Sequence, residues 1–118
     1  MDGLPKVERS GRGLGVRIDG PFRDLPVRDD GTVEPETGGM SVALDEARNL
    51  PKPRLPKSLG GEGRDPVYAM SSAAIPRALS LRIDRYPHSF IEPGCRCPLA
   101  EYESGLAGTR SYWSKAHD

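Results

Sequence analysis

The segment Thr37-Gly38-Gly39-Met40-Ser41 combines adjacent glycines with hydroxyls on either side, which suits a ligand-binding loop. Gly38 and Gly39 allow backbone angles closed to other residues, and they let another group approach the main chain. Thr37 and Ser41 supply hydroxyls that both donate and accept hydrogen bonds. A glycine turn that leads into a strand explains the same residues. The segment therefore predicts either a ligand contact or an ordinary turn.

Residues 49–63 form a second candidate for ligand binding, because their prolines and glycines exclude an α-helix or a central strand. Basic residues lie along this loop and just beyond it, at Lys52, Arg54, Lys57 and Arg64. A long basic loop suits a phosphate-bearing ligand, and a solvated connector is the alternative. The run Gly60-Gly61-Glu62-Gly63 lacks the Gly-Lys-Ser/Thr ending of a Walker loop, so a nucleoside-triphosphate site is not expected.

Metal binding is not expected from the cysteines and histidines. Cys95 and Cys97 are the only cysteines, and their spacing closes too small a ring for an unstrained disulfide. We therefore expect free thiols in a reducing compartment. With His88 and His117 they form no familiar zinc spacing.

Alternating apolar and polar residues predict the strands that must position these groups. The alternation occurs in residues 14–19, with Arg17 on the polar face, in residues 40–44, with Ser41 on the exposed face, and most strictly in residues 79–84. Residues 32–34, 65–70 and 88–91 predict shorter extended segments. His88 in the last segment and Glu92 at its end share a face with their Cα atoms about 13 Å apart, so they cannot contact the same substrate atom.

The end of the chain changes to helical spacing. The apolar stripe consists of Leu99, Tyr102, Leu106, Thr109 and Trp113. Acidic residues near its start and basic residues near its end, including Lys115, fit the helix dipole. We expect one amphipathic helix packed against the sheet. Residues 1–13 predict a loose arm, and residues 14–118 predict a single domain.

Composition limits the possible partners. The 17 basic and 17 acidic side chains balance, so nucleic acid is not expected as a partner. No apolar run approaches the roughly 20 residues that span a bilayer, and residues 1–5 lack the apolar core of a secretory signal. A membrane is therefore not an expected partner. The 14 glycines and 12 prolines favour many short elements.

Three blocks of the chain resemble the ADP-ribosyltransferase-like effector toxins of the type VI secretion system and related bacterial polymorphic toxins. The blocks are residues 28–31 leading through Pro35 to residues 37–42, the run His88-Ser89-Phe90-Ile91-Glu92-Pro93, and the closing helix with Trp113. Thr-Gly-Gly-x-Ser-Val is the most specific of them. The resemblance implies a compact α+β fold in which two small antiparallel sheets surround a cleft for NAD.

The resemblance also implies a reaction, in which ADP-ribose passes from NAD to a target or NAD is hydrolysed. In the implied catalytic set, Ser41 holds the ribose or supports a carboxylate, His88 orients NAD, and Glu92 supplies the carboxylate. The implied cofactor-binding residues are Arg17, Arg28, Thr37, Gly38, Gly39 and Met40. One of the two arginines clamps the pyrophosphate, and a backbone amide near Gly38 binds the carboxamide.

Partners and location follow from the same resemblance. It implies an unidentified macromolecular acceptor of ADP-ribose and a cognate immunity protein. It also implies a cytoplasmic protein in the producing cell, which a specialised secretion system delivers into the cytoplasm of a target cell.

Structural alternatives exist for the charged candidates. Arg17 pairs with Asp19 or Glu34 in solvent in the first alternative. In the others, His88 caps its strand, and Glu92 is a surface carboxylate near the final helix. Asp45 and Glu62 are further candidates for the catalytic carboxylate.

Two other function classes stay open. Known transferases place the catalytic glutamate in a Glu-x-Glu or Gln-x-Glu pair, whereas Phe90 stands two residues before Glu92. This departure favours a catalytically inactive binding module on the same fold. An interaction domain that docks through its terminal helix predicts exposed apolar area beside Leu106 and Trp113.

Overall fold

The computed structural model describes residues 3–10 and 13–117, and over this range it contains seven short strands and one α-helix. The strands are β1 (Thr32–Val33), β2 (Met40–Ala43), β3 (Val67–Ala69), β4 (Leu79–Arg85), β5 (His88–Pro93), β6 (Cys97–Pro98) and β7 (Ser114–His117). The helix α1 spans Leu99–Gly108. All strand pairs are antiparallel, and the Cα radius of gyration of 13.8 Å is typical of a compact chain of this length. The predicted α+β class is confirmed.

A three-stranded sheet in the order β2-β5-β4 forms the centre of the fold. Its strands follow the predicted alternation, because Met40, Leu81 and Ile91 lie opposite one another and face the helix side. On the other side, Ser41 lies opposite Phe90, and Phe90 lies opposite Arg82. The sheet therefore has one apolar face and one face that carries polar groups.

Two two-stranded sheets, β1-β6 and β3-β7, accompany the central one. The pairing of Val33 with Cys97 brings the segment before the glycine motif to the start of the helix. Three sheets are thus present in the described part of the chain, rather than the two predicted. The additional pair arises because the final residues return as β7 against β3.

The predicted strand at residues 14–19 is wrong. Leu14 and Val16 are buried, yet the only strand contact there is an isolated bridge between Val7 and Leu14. The Arg17 N–H donates to a carboxylate oxygen of Asp24 at 2.8 Å, and the Arg17 carbonyl accepts from the Asp24 N–H at 2.7 Å. Since this local turn uses the backbone groups that a ladder needs, burial alternates without a strand.

The helix begins as predicted but ends at Gly108, short of Lys115. Glycine is a poor helix former, and after Gly108 the chain makes a 3-10 turn at Arg110–Tyr112 before entering β7. Trp113 therefore lies outside the helix, where its indole N–H donates to Thr109 Oγ1 at 3.0 Å. No helix within residues 3–10 and 13–117 has both the length and the apolar character that a membrane span requires.

Two helix side chains close the core beneath the central sheet. Tyr102 and Leu106 are each 1% exposed. The Tyr102 hydroxyl donates to the Ile91 carbonyl at 2.6 Å and accepts from the Met40 N–H at 3.0 Å, so it links β5 and β2. Because Leu106 is buried and Trp113 packs partly against this core, the apolar stripe of the helix is turned inward, while Tyr112 beside Trp113 is 55% exposed.

Two loops complete the chain. Residues 49–63 contain a 3-10 turn at Lys57–Leu59 but no α-helix or strand, as predicted. In residues 3–10, Arg9 forms an ion pair with Glu103 at 2.6 Å, and the Pro5 carbonyl accepts from Arg110 Nε at 2.8 Å. These contacts bring residues 5 and 9 against the helix and the 3-10 turn that follows it. The division into an arm of residues 1–13 and a domain of residues 14–118 stays a prediction.

Candidate functional site

The glycine motif is a place where the chain packs against itself. A Cβ atom on Gly38 would lie 2.2 Å from the Asp24 carbonyl oxygen, and one on Gly39 would lie 2.7 Å from the Ile91 carbonyl oxygen and 3.1 Å from Glu92 Cα. The Gly39 N–H donates to the Asp24 carbonyl at 3.0 Å. The group that approaches these glycines is thus the protein backbone, and the motif fixes β2 against the end of β5.

The residues around the glycines differ in accessibility. Thr37 is exposed, but its hydroxyl donates to the Glu34 carbonyl at 2.9 Å. Met40 is 9% exposed and belongs to the core, while Ser41 is exposed. Of the two hydroxyls in the motif, Ser41 is therefore the one on the open side of β2.

The polar side of the central sheet carries all three predicted catalytic residues, with His88 and Glu92 near opposite ends of β5. Directly opposite residues on neighbouring strands point to the same face, with Cβ atoms about 5 Å apart. Ser41, Phe90 and Arg82 form one such row, and the alternation along β5 adds His88 and Glu92. We call this side the polar face. Its residues are Ser41, Ser80, Arg82, Asp84, His88, Phe90 and Glu92.

Glu92 is the most buried residue of the polar face, at 3% exposed. Its Oε2 accepts from Arg82 Nε at 2.9 Å and from the Glu36 N–H at 2.8 Å. A buried carboxylate needs such partners, because desolvation without them is costly. The alternative of a surface carboxylate at Glu92 is therefore wrong.

His88 occupies the far end of the same strand. Its Nδ1 lies 3.1 Å from Asp84 Oδ2, and its side chain is 38% exposed. The imidazole meets the Phe90 ring edge-on, with centroids 4.8 Å apart at 87°. His88 is thus held by an aromatic and an acidic neighbour while one part of it reaches solvent.

The two predicted pyrophosphate arginines lie outside the polar face. Arg17 Nε and Nη2 contact the two carboxylate oxygens of Asp24 at 3.3 and 3.2 Å, so its partner is neither Asp19 nor Glu34. The partner of Arg28 is Glu34, at 3.3 Å. Because the Asp24 backbone packs on Gly38, Arg17 borders the glycine motif from the loop side.

Arg28 begins the turn of residues 28–31, where its N–H donates to the Thr32 carbonyl at 2.9 Å. Asp30 accepts hydrogen bonds from both the N–H and the hydroxyl of Thr32, and Arg96 pairs with it. The Thr32 hydrogen bonds lower the pKa of Asp30 to about 2, with a smaller contribution from Arg96. A surface depression of about 400 Å³ borders Arg28, Asp29 and Asp30. The contacts of Asp30 with Thr32 and Arg96 link β1 to the turn before β6.

The other candidate carboxylates lie elsewhere. Asp45 accepts a hydrogen bond from the Tyr86 hydroxyl, which raises the pKa of that phenol. Glu62 is exposed in the long loop. Glu-x-Glu spacing does occur in the chain, at Glu34/Glu36 and Glu101/Glu103, but it does not include Glu92. The first pair contacts Glu92 only through the Glu36 backbone.

Sequence reasoning missed Arg82 and Phe90 as members of the site. The guanidinium carbon of Arg82 lies 5.0 Å from the Phe90 ring centroid, a cation–π contact between two polar-face residues. The alternation of residues along β4 and β5 does place Arg82 and Phe90 on the side of the sheet opposite the buried residues. Pairing them required the register, which alternation alone does not give.

Cys95 and Cys97 are both free, as predicted. Among the described residues, no group of three or more His, Cys, Asp and Glu side chains is arranged to hold a metal ion. Comparison with protein-family models, with curated proteins and with solved structures finds no match to this chain.

Proposed function

We propose that this chain is a bacterial toxin or effector domain that binds NAD and either transfers ADP-ribose to a target or hydrolyses NAD. One observation carries the proposal. Ser41, His88 and Glu92 come from two separate blocks of the sequence, yet they lie on one face of one sheet. The sequence resemblance supplies the reaction, and this common face supports a shared site.

This reaction requires little general acid–base catalysis by the protein. The bond between the ribose C1′ and the nicotinamide nitrogen breaks, and nicotinamide leaves with the bonding electrons. A nucleophile from the target or from water attacks C1′ and releases its proton to solvent. The ribose passes through an oxocarbenium-like state, so a negative charge and fixed hydroxyl contacts stabilise it. Glu92 brings the charge, the exposed Ser41 hydroxyl contacts the ribose, and His88 orients the dinucleotide.

The biological setting is part of the proposal. An NAD-consuming domain harms the cell that contains it, so a cognate immunity protein is an expected partner in the producing cell. The acceptor of ADP-ribose is a macromolecule in the recipient cytoplasm, which the domain reaches through a specialised secretion system.

The proposal is tested by induced expression in a bacterial host with cellular NAD followed over time. The native chain is expected to arrest growth and deplete NAD, whereas Ser41→Ala and His88→Ala are expected to restore both. Ser58→Ala is the matched control, since Ser58 is an exposed serine in the long loop. Unchanged NAD and equal growth in all cultures would refute the proposal.

A catalytically inactive binding module is the second candidate. The supporting observation is that Glu92 Oε2 is already engaged by Arg82 and the Glu36 N–H in a buried position. On this alternative the purified chain binds NAD and leaves it intact. Release of nicotinamide by the purified native protein, measured by chromatography, distinguishes the two candidates.

A further inference from the structure

Arg82 occupies the centre of the polar face. It lies on β4 directly opposite Phe90, which lies directly opposite Ser41 on β2. Its side chain is 30% exposed, whereas that of Glu92 is 4% exposed. A ligand resting on this face therefore reaches Arg82 before it reaches the carboxylate beneath.

The Arg82 guanidinium is held in one orientation. Its Nε donates to Glu92 Oε2 at 2.9 Å, and its carbon atom lies 5.0 Å from the Phe90 ring centroid. A guanidinium carries five N–H donors, and in the described part of the chain only the Nε donor has an oxygen partner. The paired donors on Nη1 and Nη2 are the fork that binds phosphate oxygens two at a time.

Arg17 and Arg28, which the resemblance implies as phosphate clamps, differ in this respect. Arg17 commits Nε and Nη2 to the two oxygens of Asp24, and Arg28 pairs through Nη1 with Glu34. Neither belongs to the row that contains Ser41. On the polar face, Asp84 contacts His88, and Glu92 is the acidic partner of Arg82.

We infer that Arg82 binds the diphosphate group of a dinucleotide on the polar face through Nη1 and Nη2, while Glu92 and Phe90 hold its guanidinium in place. The inference rests on the proposed function, because it takes NAD as the ligand. It assigns the diphosphate contact to Arg82 and not to Arg17 or Arg28. It also means that the ion pair between Arg82 and Glu92 supports ligand binding as well as folding.

The test measures the affinity of the purified chain for NAD by calorimetry, in the native form and in Arg82→Lys. Lysine keeps a positive charge near Glu92 but lacks the planar fork, so we expect NAD affinity to fall roughly 10-fold to 100-fold. The double variant Arg82→Gln/Glu92→Gln leaves no buried charge unpaired and is expected to lose affinity at least as much. Arg77→Lys, an exposed arginine before β4, is the matched control. Thermal unfolding establishes that each variant is folded.

The outcomes separate the inference from the proposed function. If the native chain binds NAD and Arg82→Lys binds within twofold of it, the inference is overturned and the proposed function stands. Loss of affinity in Arg17→Lys or Arg28→Lys, with Arg82→Lys unaffected, also overturns it. If the native chain does not bind NAD, the proposed function fails, and inorganic pyrophosphate then decides the inference. A pyrophosphate-dependent shift of the Arg82 Nε–H resonance supports the site, and its absence overturns it.

Discussion

The buried carboxylate of Glu92 accepts a hydrogen bond from the backbone N–H of Glu36 at 2.8 Å, across 56 positions of sequence. Glu36 has a φ of 66°, in the left-handed region, at the turn that leads into the glycine motif. The same carboxylate oxygen accepts from Arg82 on β4. One side chain at the end of β5 thus ties together the turn before β2 and the neighbouring strand.

We expect Glu92→Ala to reduce the free energy of unfolding by about 2–3 kcal/mol, because it leaves the Glu36 N–H without its acceptor and Arg82 without its counter-charge. Glu92→Gln keeps an acceptor oxygen and is expected to cost about half as much. Urea denaturation at neutral pH measures both, and Glu62→Gln at an exposed loop position is the control.

The same variants separate a catalytic from a purely structural role of Glu92. If Glu92 acts on the ribose, folded Glu92→Gln at saturating NAD releases nicotinamide far more slowly than the native chain. Equal turnover in folded Glu92→Gln would contradict the catalytic role. A loss of unfolding free energy no larger than that of Glu62→Gln would contradict the structural one.

Gly39→Ala is expected to lower the free energy of unfolding by about 2–3 kcal/mol, as overpacking of a tight contact does. The new methyl would meet the Ile91 carbonyl oxygen at 2.7 Å and Glu92 Cα at 3.1 Å, and these are backbone atoms of a paired strand. Gly108→Ala is the control, because no heavy atom lies within 4 Å of a Cβ placed there. Gly108→Ala should be neutral or slightly stabilising at the helix end. Equal stability of the two variants would show that the β2–β5 contact yields to the methyl.

Local pattern was sufficient to predict much of the sheet. Strict alternation in residues 79–84 and the break before His88 predicted β4 and β5, because a strand with one buried face repeats every two residues. The same pattern in residues 14–19 corresponds to buried residues without a strand, because the Arg17 N–H and carbonyl are hydrogen-bonded to Asp24 and not to a neighbouring strand. Alternation identifies a buried face, and the hydrogen-bond partners decide whether it is a strand.

The long-range contacts of the site were not predictable in this way. Residue type and resemblance point to Ser41, His88 and Glu92 individually, but their common face follows from the register of β2 with β5. Arg82 was missed because its pairing with Phe90 and Glu92 depends on the bulge-containing ladder between β4 and β5. The helix stripe likewise continued in sequence through Trp113 although the backbone leaves the helix after Gly108. The register of the strands and the end of the helix both depend on contacts between residues distant in sequence.

Tyr102→Phe is expected to reduce the free energy of unfolding by about 1–3 kcal/mol, because the hydroxyl joins the Met40 N–H and the Ile91 carbonyl in the core. Burial raises the pKa of Tyr102 above its ordinary value of about 10, so the folded chain keeps the phenol proton that the unfolded chain releases. This contribution is fully present below pH 10 and is lost as the pH rises beyond it. The native chain should therefore lose stability between about pH 10 and pH 11 more steeply than Tyr102→Phe does.

Tyr112→Phe, at a position 55% exposed, should follow the native curve. Parallel curves for native and Tyr102→Phe protein in chemical denaturation across this range would contradict the buried hydroxyl link between β2, β5 and the helix.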